Sequence, residues 1–176
     1  MARASEATSS TGRSRSRREP KTPKSCHERA LGLLAVRPRS RRELEQRLTA
    51  AGFDATEVSD VLERLERVGL VDDADFARQL AEQQFVHKRA GRRAVTSALM
   101  AKGVAHELIE AVVAAAPDDE EARAEDLARS KALRMGSVDP VKAFNRLCGL
   151  LMRRGYAPEV ARRAARRALD VSVDAD

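Results

Sequence analysis

One pattern recurs three times along the chain and sets the period of any fold it can adopt. In the first copy Leu44, Leu48, Gly52 and Phe53 are followed by Glu57–Val58. In the second Val95, Leu99, Gly103 and Val104 are followed by Glu107–Leu108, and in the third Leu147, Leu151, Gly155 and Tyr156 are followed by Glu159–Val160. The glycines lie 51 and then 52 residues apart. A near-constant period of this size is the mark of an array of supersecondary units.

Within each copy the apolar residues keep helical spacing, so each unit reads as three helices. The middle unit, from Gly69 to Ala116, shows this most plainly. Asp72 and Asp73 suit the start of its first helix, because a short carboxylate accepts from free amides there and favours the positive end of the helix dipole. That helix carries Phe76 and Leu80 and ends near Lys88–Gly91. The second runs from Arg92 to about Lys102, with Val95 and Leu99 on one face, and Gly103 stops it; the third carries Leu108, Ile109, Val112, Val113 and Ala116. In the first unit, a helix over Cys26–Val36 is expected to turn Leu31, Leu34 and Ala35 inward and to end before Pro38. Ser40 and Glu43 have capping-box spacing ahead of the second helix, and Val58, Val61, Leu62, Leu65 and Val68 give the third its apolar stripe. In the last unit the acidic run Asp118–Glu121 opens a helix expected to pack through Leu127, Ala128 and Leu133. Asp139–Pro140 opens the next, since proline needs no amide donor at a first helical position. Phe144, Leu147, Cys148 and Leu151 form its inner face, and Val160, Ala164, Ala168 and Leu169 that of the final helix.

The expectation is therefore an all-α, elongated and curved array of three tandem three-helix, helix-turn-helix-like repeats at 25–71, 72–117 and 118–170, followed by a tail at 171–176. Aromatic residues make up only 3% of the chain and Trp is absent, so the cores must be Leu, Val and Ala packed between helices. Residues 1–24 hold seven basic and two acidic side chains and almost no large apolar ones, so they cannot offset their conformational entropy by burial and should form a disordered basic tail. Cys26 and Cys148 are far apart in helical segments and read as small buried residues of a reducing compartment. The chain lacks a membrane-length apolar run and an apolar signal segment, which makes the cytoplasm the expected location.

No enzymatic motif is present: there is no phosphate-binding glycine loop, nucleophile elbow or metal-spaced histidine pair, and His27, His87 and His106 are scattered. The expectation is a non-enzyme without cofactor or metal. The basic residues are grouped instead. Arg37, Arg39, Arg41 and Arg42 surround the turn into the second helix of the first repeat, and Lys88, Arg89, Arg92 and Arg93 the same turn in the second. In the third, Arg153 and Arg154 are followed by Arg162, Arg163, Arg166 and Arg167. A basic start to a second helix resembles a helix-turn-helix reading DNA, yet arginine's planar fork suits phosphate and carboxylate alike. Scarce aromatics argue against base stacking on single strands, and sparse Asn and Gln in the second helices against base-edge readout. From the residues alone, a plain DNA-binding protein and a protein-interaction solenoid both stay open.

Three segments in order resemble the RecX family of small bacterial regulators of the RecA recombinase. They are Ser40–Arg41–Arg42–Glu43–Leu44 with Leu48 and Gly52–Phe53; Gly69–Leu70–Val71–Asp72–Asp73 with Phe76–Ala77, Gly91, Ala98–Leu99 and Lys102–Gly103; and Arg153–Arg154–Gly155–Tyr156 with Val160. The likeness covers Cys26 to Leu169; Phe85–Val86 stands where the family usually carries more basic residues. The resemblance implies a modulator that binds RecA filaments on single-stranded DNA and reduces strand exchange, filament growth, ATP turnover and coprotease activity. Weaker DNA contacts and a monomeric state accompany that expectation. Its contact residues would come from Arg39, Arg41, Arg42, Lys88, Arg89, Arg92, Arg93, Arg153, Arg154, Arg162, Arg163, Arg166 and Arg167. Deleting residues 1–24 is expected to weaken DNA binding at low salt while leaving the regulatory activity; loss of all activity on deletion would show the segment to be essential.

Overall fold

The computed structural model describes residues 24–136 and 138–173. Among them are nine α-helices and no strand. The helices are α1 (Cys26–Leu34), α2 (Arg41–Ala50), α3 (Ala55–Arg67), α4 (Asp73–Glu82), α5 (Arg92–Ala101), α6 (His106–Ala114), α7 (Glu120–Ala132), α8 (Pro140–Arg153) and α9 (Pro158–Val173). A π-helical turn at Gln83–His87 prolongs α4. The expected basic tail, apart from Lys24, lies outside the described residues. The chain is an all-α protein of tandem three-helix repeats.

Each set of three helices closes around its own apolar cluster. Cys26, Ala30, Leu44, Leu48, Val58, Leu62 and Leu65 fill the first. Phe76, Ala77, Phe85, Val95, Leu99 and Ile109 fill the second, and Leu127, Leu147, Leu151, Tyr156 and the alanines of α9 the third. Both cysteines are free and buried, as their placement on apolar faces requires. Some expected core residues lie outside. Leu31 and Ala35 face solvent because the buried face of α1 runs through Cys26 and Ala30, and Leu31 is one helical step round from it. Val68 and Leu133 are exposed because α3 ends at Arg67 and α7 at Ala132, and in each case the next residue leaves the packed face.

The caps also differ from expectation. The reciprocal capping box stands at α1, where Ser25 accepts from the Glu28 amide (3.2 Å) and the Glu28 carboxylate accepts from the Ser25 amide (2.9 Å). At α2 only half of one forms: Ser40 accepts from the Glu43 amide (3.2 Å), while the Glu43 side chain turns away. Its carboxylate meets Arg39 (2.7 Å), Arg47 (3.5 Å), Lys102 (3.5 Å) and Arg37, a far stronger set of partners than one amide. At α4, Asp72 caps the Ala74 and Asp75 amides, whereas Asp73 reaches back to the Arg41 amide of α2 (2.8 Å).

These deviations belong to the joints between repeats, which follow one plan. At the first joint Ser40 Oγ donates to the Lys102 carbonyl (2.5 Å) and Asp73 accepts from the Arg41 amide. At the second, Gly91 N–H donates to the Arg154 carbonyl (2.8 Å), Arg93 N–H to the Gly155 carbonyl (3.2 Å), and Arg92 N–H to Glu120 (2.9 Å). The start of each second helix thus rests on the turn after the next repeat's second helix, and an acid from the first helix of that repeat completes its cap. A helix start leaves amides without intrahelical partners; here the neighbouring repeat satisfies them.

The repeating glycine has two jobs. Gly52, Gly103 and Gly155 have φ of +93°, +72° and +86°, so each takes a left-handed conformation that ends its helix. At the joints there is also no room for a side chain. A Cβ on Gly103 would lie 2.0 Å from the Arg42 side chain, and one on Gly155 2.3 Å from the Ala94 amide nitrogen; around Gly52, which faces no preceding repeat, the space is open. Gly52→Ala is expected to cost about 1–2 kcal/mol from backbone strain alone, and Gly155→Ala clearly more, because backbone must move. Thermal or urea melts measure both, and equal costs would contradict the second job.

Burial alone would raise the Glu43 pKa, but the Arg37 hydrogen bond and the charges of Lys102, Arg37 and Arg39 outweigh it and hold the carboxyl at about 2. The folded value is depressed, so the group's stabilisation is complete above the ordinary value of 4.5 and is lost as pH falls from there towards 2. Glu43→Gln leaves Arg39 buried without its counter-charge and should destabilise the protein by about 3 kcal/mol at neutral pH. Urea melts at pH 7 and pH 3 should show the gap between the two proteins narrowing in acid.

Candidate partner-binding surface

The basic residues nominated by sequence separate into two groups. One is committed to partners within the chain. Arg39 is only 7% exposed, donating from Nε to the Leu33 carbonyl (3.1 Å) and pairing with Glu43, so it is a buried strut of the first repeat rather than a displayed contact. Arg41 pairs with Glu66 (2.6 Å). Arg92, at the equivalent position of the next repeat, donates to the Val113, Ala116 and Pro117 carbonyls (2.9, 3.5 and 3.3 Å) after α6 and lies beside Glu120. Arg154 donates to the Lys88 carbonyl across the second joint (2.6 Å). Arg162 pairs with Glu159 (3.3 Å), and Arg163 and Arg167 with Glu121 and Glu125, which ties α9 to α7.

The other group is exposed and has no ion-pair partner among the described residues: Arg42, Lys88, Arg89, Arg93, Arg153 and Arg166. The second joint holds the backbone that carries Lys88 and Arg89. Arg154 takes the Lys88 carbonyl, the buried Tyr156 donates its hydroxyl to the Arg89 carbonyl (2.8 Å), and Arg89 sits at φ +47°, an uncommon conformation for a side chain of its size. Burial is the main force raising the Tyr156 pKa, which keeps the hydroxyl a donor.

Several residues of this region escape sequence reading. Glu43 looks like a capping residue and is the hub of four cations. Lys102 looks like a helix end and anchors the first joint. Arg123 stands in a helix whose sequence singles out only Leu127, Ala128 and Leu133 for packing, yet its guanidinium lies over the Phe85 ring (5.0 Å to the centroid) and pairs with Asp119. Two of its nitrogens are buried without a hydrogen-bond partner, and desolvation is the main force lowering its pKa. Phe85, which breaks the expected basic run, thus sits between two repeats. A groove of about 730 Å³ separates the Arg37–Pro38 turn from α4 and α5, with Gln79, Gln83, Lys88 and Lys102 on its walls.

Among the described residues no group of His, Cys, Asp or Glu is placed to hold a metal ion, and no helix is long and apolar enough to cross a membrane. The surface offers exposed guanidinium groups on helix starts that neighbouring repeats hold in place, which suits binding to an anionic partner.

The fold is that of a tandem three-helix repeat protein. Residues 26–65 match the family model described as "RecX, first three-helix domain", and residues 72–113 the one described as "RecX, second three-helix domain". Among curated relatives, "Regulatory protein RecX" of Mycobacterium sp. (strain JLS) is 39% identical over 149 residues, covering 81% of each chain. The protein of the same name from Mycobacterium avium (strain 104) is 39% identical over 145 residues, covering 81% of this chain and 84% of its own. The crystal structure of RecX from Lactobacillus salivarius superposes with a TM-score of 0.72 at 18% identity, over 81% of this chain and 94% of that one. The chain belongs to the RecX family of regulatory proteins.

Two adjacent residues separate the groups experimentally. Arg92→Ala removes the hydrogen bonds to the end of α6 and should lower stability by about 2–3 kcal/mol, whereas Arg93→Ala should leave the melting curve within about 0.5 kcal/mol of the parent. Equal effects in urea melts would contradict the division.

Proposed function

We propose that this protein is a non-enzymatic regulator of a RecA-type recombinase, binding the filament assembled on single-stranded DNA and mainly inhibiting its strand exchange, ATP turnover and coprotease activity. Family membership supports the choice of partner. The observation that carries the binding mode is the recurrence of an unpaired arginine at the start of the second helix in consecutive repeats, Arg42 and Arg93, each beside a joint with the next repeat. Repeats held in fixed relation can meet successive protomers of a filament, and several weak contacts on one chain then combine into tight binding through effective concentration. Arg42, Lys88, Arg89, Arg93, Arg153 and Arg166 are the proposed contacts. Arg41, Arg92, Arg154, Arg162, Arg163 and Arg167 are engaged by acids or carbonyls of the chain itself and are left out of that set. The protein would act as a monomer in the cytoplasm and touch DNA more weakly than recombinase.

Recombinase ATP turnover on single-stranded DNA, with this protein added after the filament has formed, tests the proposal. Inhibition well below one copy per recombinase indicates action at filament ends or at a few sites, and inhibition only near equal amounts indicates coverage of the filament groove. An unchanged rate with folded protein, alongside tight and steeply salt-dependent duplex binding, would replace the proposal with a plain DNA-binding role.

A further inference from the structure

The first helices of the three repeats do not end alike. α1 and α7 finish on ordinary turns, with Ala35 N–H donating to the Leu31 carbonyl (2.9 Å) and Leu133 N–H to the Arg129 carbonyl (3.1 Å). α4 instead runs on into the π turn at Gln83–His87. There Lys88 N–H reaches back to the Gln83 carbonyl (3.3 Å) and Ala90 N–H to the Gln84 carbonyl (3.0 Å). Such turns are rare and hold one residue more than the α-helix they interrupt. Arg89 follows at φ +47°, the one positive φ outside glycine among the described residues. A residue with a Cβ adopts that backbone only at a cost. Nothing in the local sequence asks for either state, since Gln83–Arg89 contains no Gly, Asn or Asp. The third repeat holds both in place. Arg154 donates to the Lys88 carbonyl (2.6 Å), Tyr156 to the Arg89 carbonyl (2.8 Å), and Arg123 lies over the ring of Phe85 inside the turn.

We infer that Gln83–Ala90 is a two-state element thrown by the docking of the third repeat: a π turn with a left-handed Arg89 while that repeat is seated, and a regular α-helical turn once it lets go. Gln, Lys and Arg are good helix formers, so the segment reverts when its carbonyls are released. Reversion turns the residues beyond Gln83 by up to about 100°, the angle of one residue in an α-helix. Phe85 then leaves Arg123, and Lys88 and Arg89 are re-aimed. The coupling is reciprocal, so whatever sets the turn also sets the docking. The seated state carries a cost of its own, because Arg123 keeps two nitrogens buried without a partner, and undocking returns them to water. The first joint lacks the device. After α1 there is no positive φ, and the Pro38 carbonyl is taken by Arg37 of the same repeat (3.0 Å). Re-aiming Lys88 and Arg89 bears on partner binding only through the proposed function; the switch itself does not rest on that reading.

NMR on the full chain, without recombinase or DNA, tests this. Arg154→Ala/Tyr156→Phe removes both clamps and keeps the aromatic ring in the core. The amide–Hα coupling and Cα shift of Arg89 read its backbone state, and hydrogen exchange at the Gly91 and Arg93 amides reads the joint. In the double variant Arg89 should move from left-handed to helical values, with shift changes confined to Gln83–Ala90 and the joint. The two joint amides should exchange about tenfold faster, the worth of one or two hydrogen bonds. Adding Arg89→Gly, which suits the left-handed backbone and disfavours the helix, should recover most of that protection. Retained protection at the centres of α5 and α8 shows that each variant is folded. The inference is overturned if Arg89 keeps its left-handed values in the double variant, if only one of the two regions responds, or if the added glycine restores nothing.

Discussion

The first amides of α5 have no cap of their own. Gly91 offers no side chain, and the three donors of Gly91, Arg92 and Arg93 go to the Arg154 carbonyl, the Glu120 carboxylate and the Gly155 carbonyl of the third repeat. An uncapped helix start is costly when it is buried. The second repeat is therefore completed by the third, although each has its own apolar core. The first joint follows the same plan through Ser40, Lys102, Arg41 and Asp73. Polar caps, rather than a continuous apolar interface, set how one repeat meets the next.

That arrangement explains the division among the basic residues. A joint made of helix starts and carbonyl-ended turns draws cations to its carbonyls and acids to its amides. Arg92, Arg154, Lys102 and the Glu43 cluster are consumed in this way, and the arginine one residue after each of Arg41 and Arg92 is left facing outward. Position within the repeat, more than charge density, decides which arginines are available to a partner. The same logic confines Gly103 and Gly155 to glycine twice over, once by φ and once by the approach of the preceding repeat.

The helices and their order are legible in the sequence because amphipathic period and a recurring glycine are local signals. Core positions read from the second helices, Leu44, Leu48, Val95, Leu99, Leu147, Cys148, Leu151 and the glycine-following Tyr156, are buried. What escapes is non-local. Asp73 reads as a cap for its own helix and serves α2 instead; Glu43 reads as half of a capping box and becomes an ion-pair hub; Arg39 and Arg92 read as surface and are structural. In each case the partner lies in another element, as with Lys102 for Glu43 and Val113 for Arg92, and a spacing rule within one helix cannot name it. Leu31, Val68 and Leu133 fail for a simpler reason, since a helix end or one step of rotation moves an apolar residue off the packed face.

Native-state hydrogen exchange at the Gly91 and Arg93 amides tests the joints most directly. Both donate across the boundary between repeats, so their protection reads the integrity of that boundary rather than of either core. Protection comparable to the central amides of α8 is the result this account requires. Exchange at the rate of an open loop, with α5 and α8 themselves protected, would show that the repeats are folded but not joined, and would contradict it.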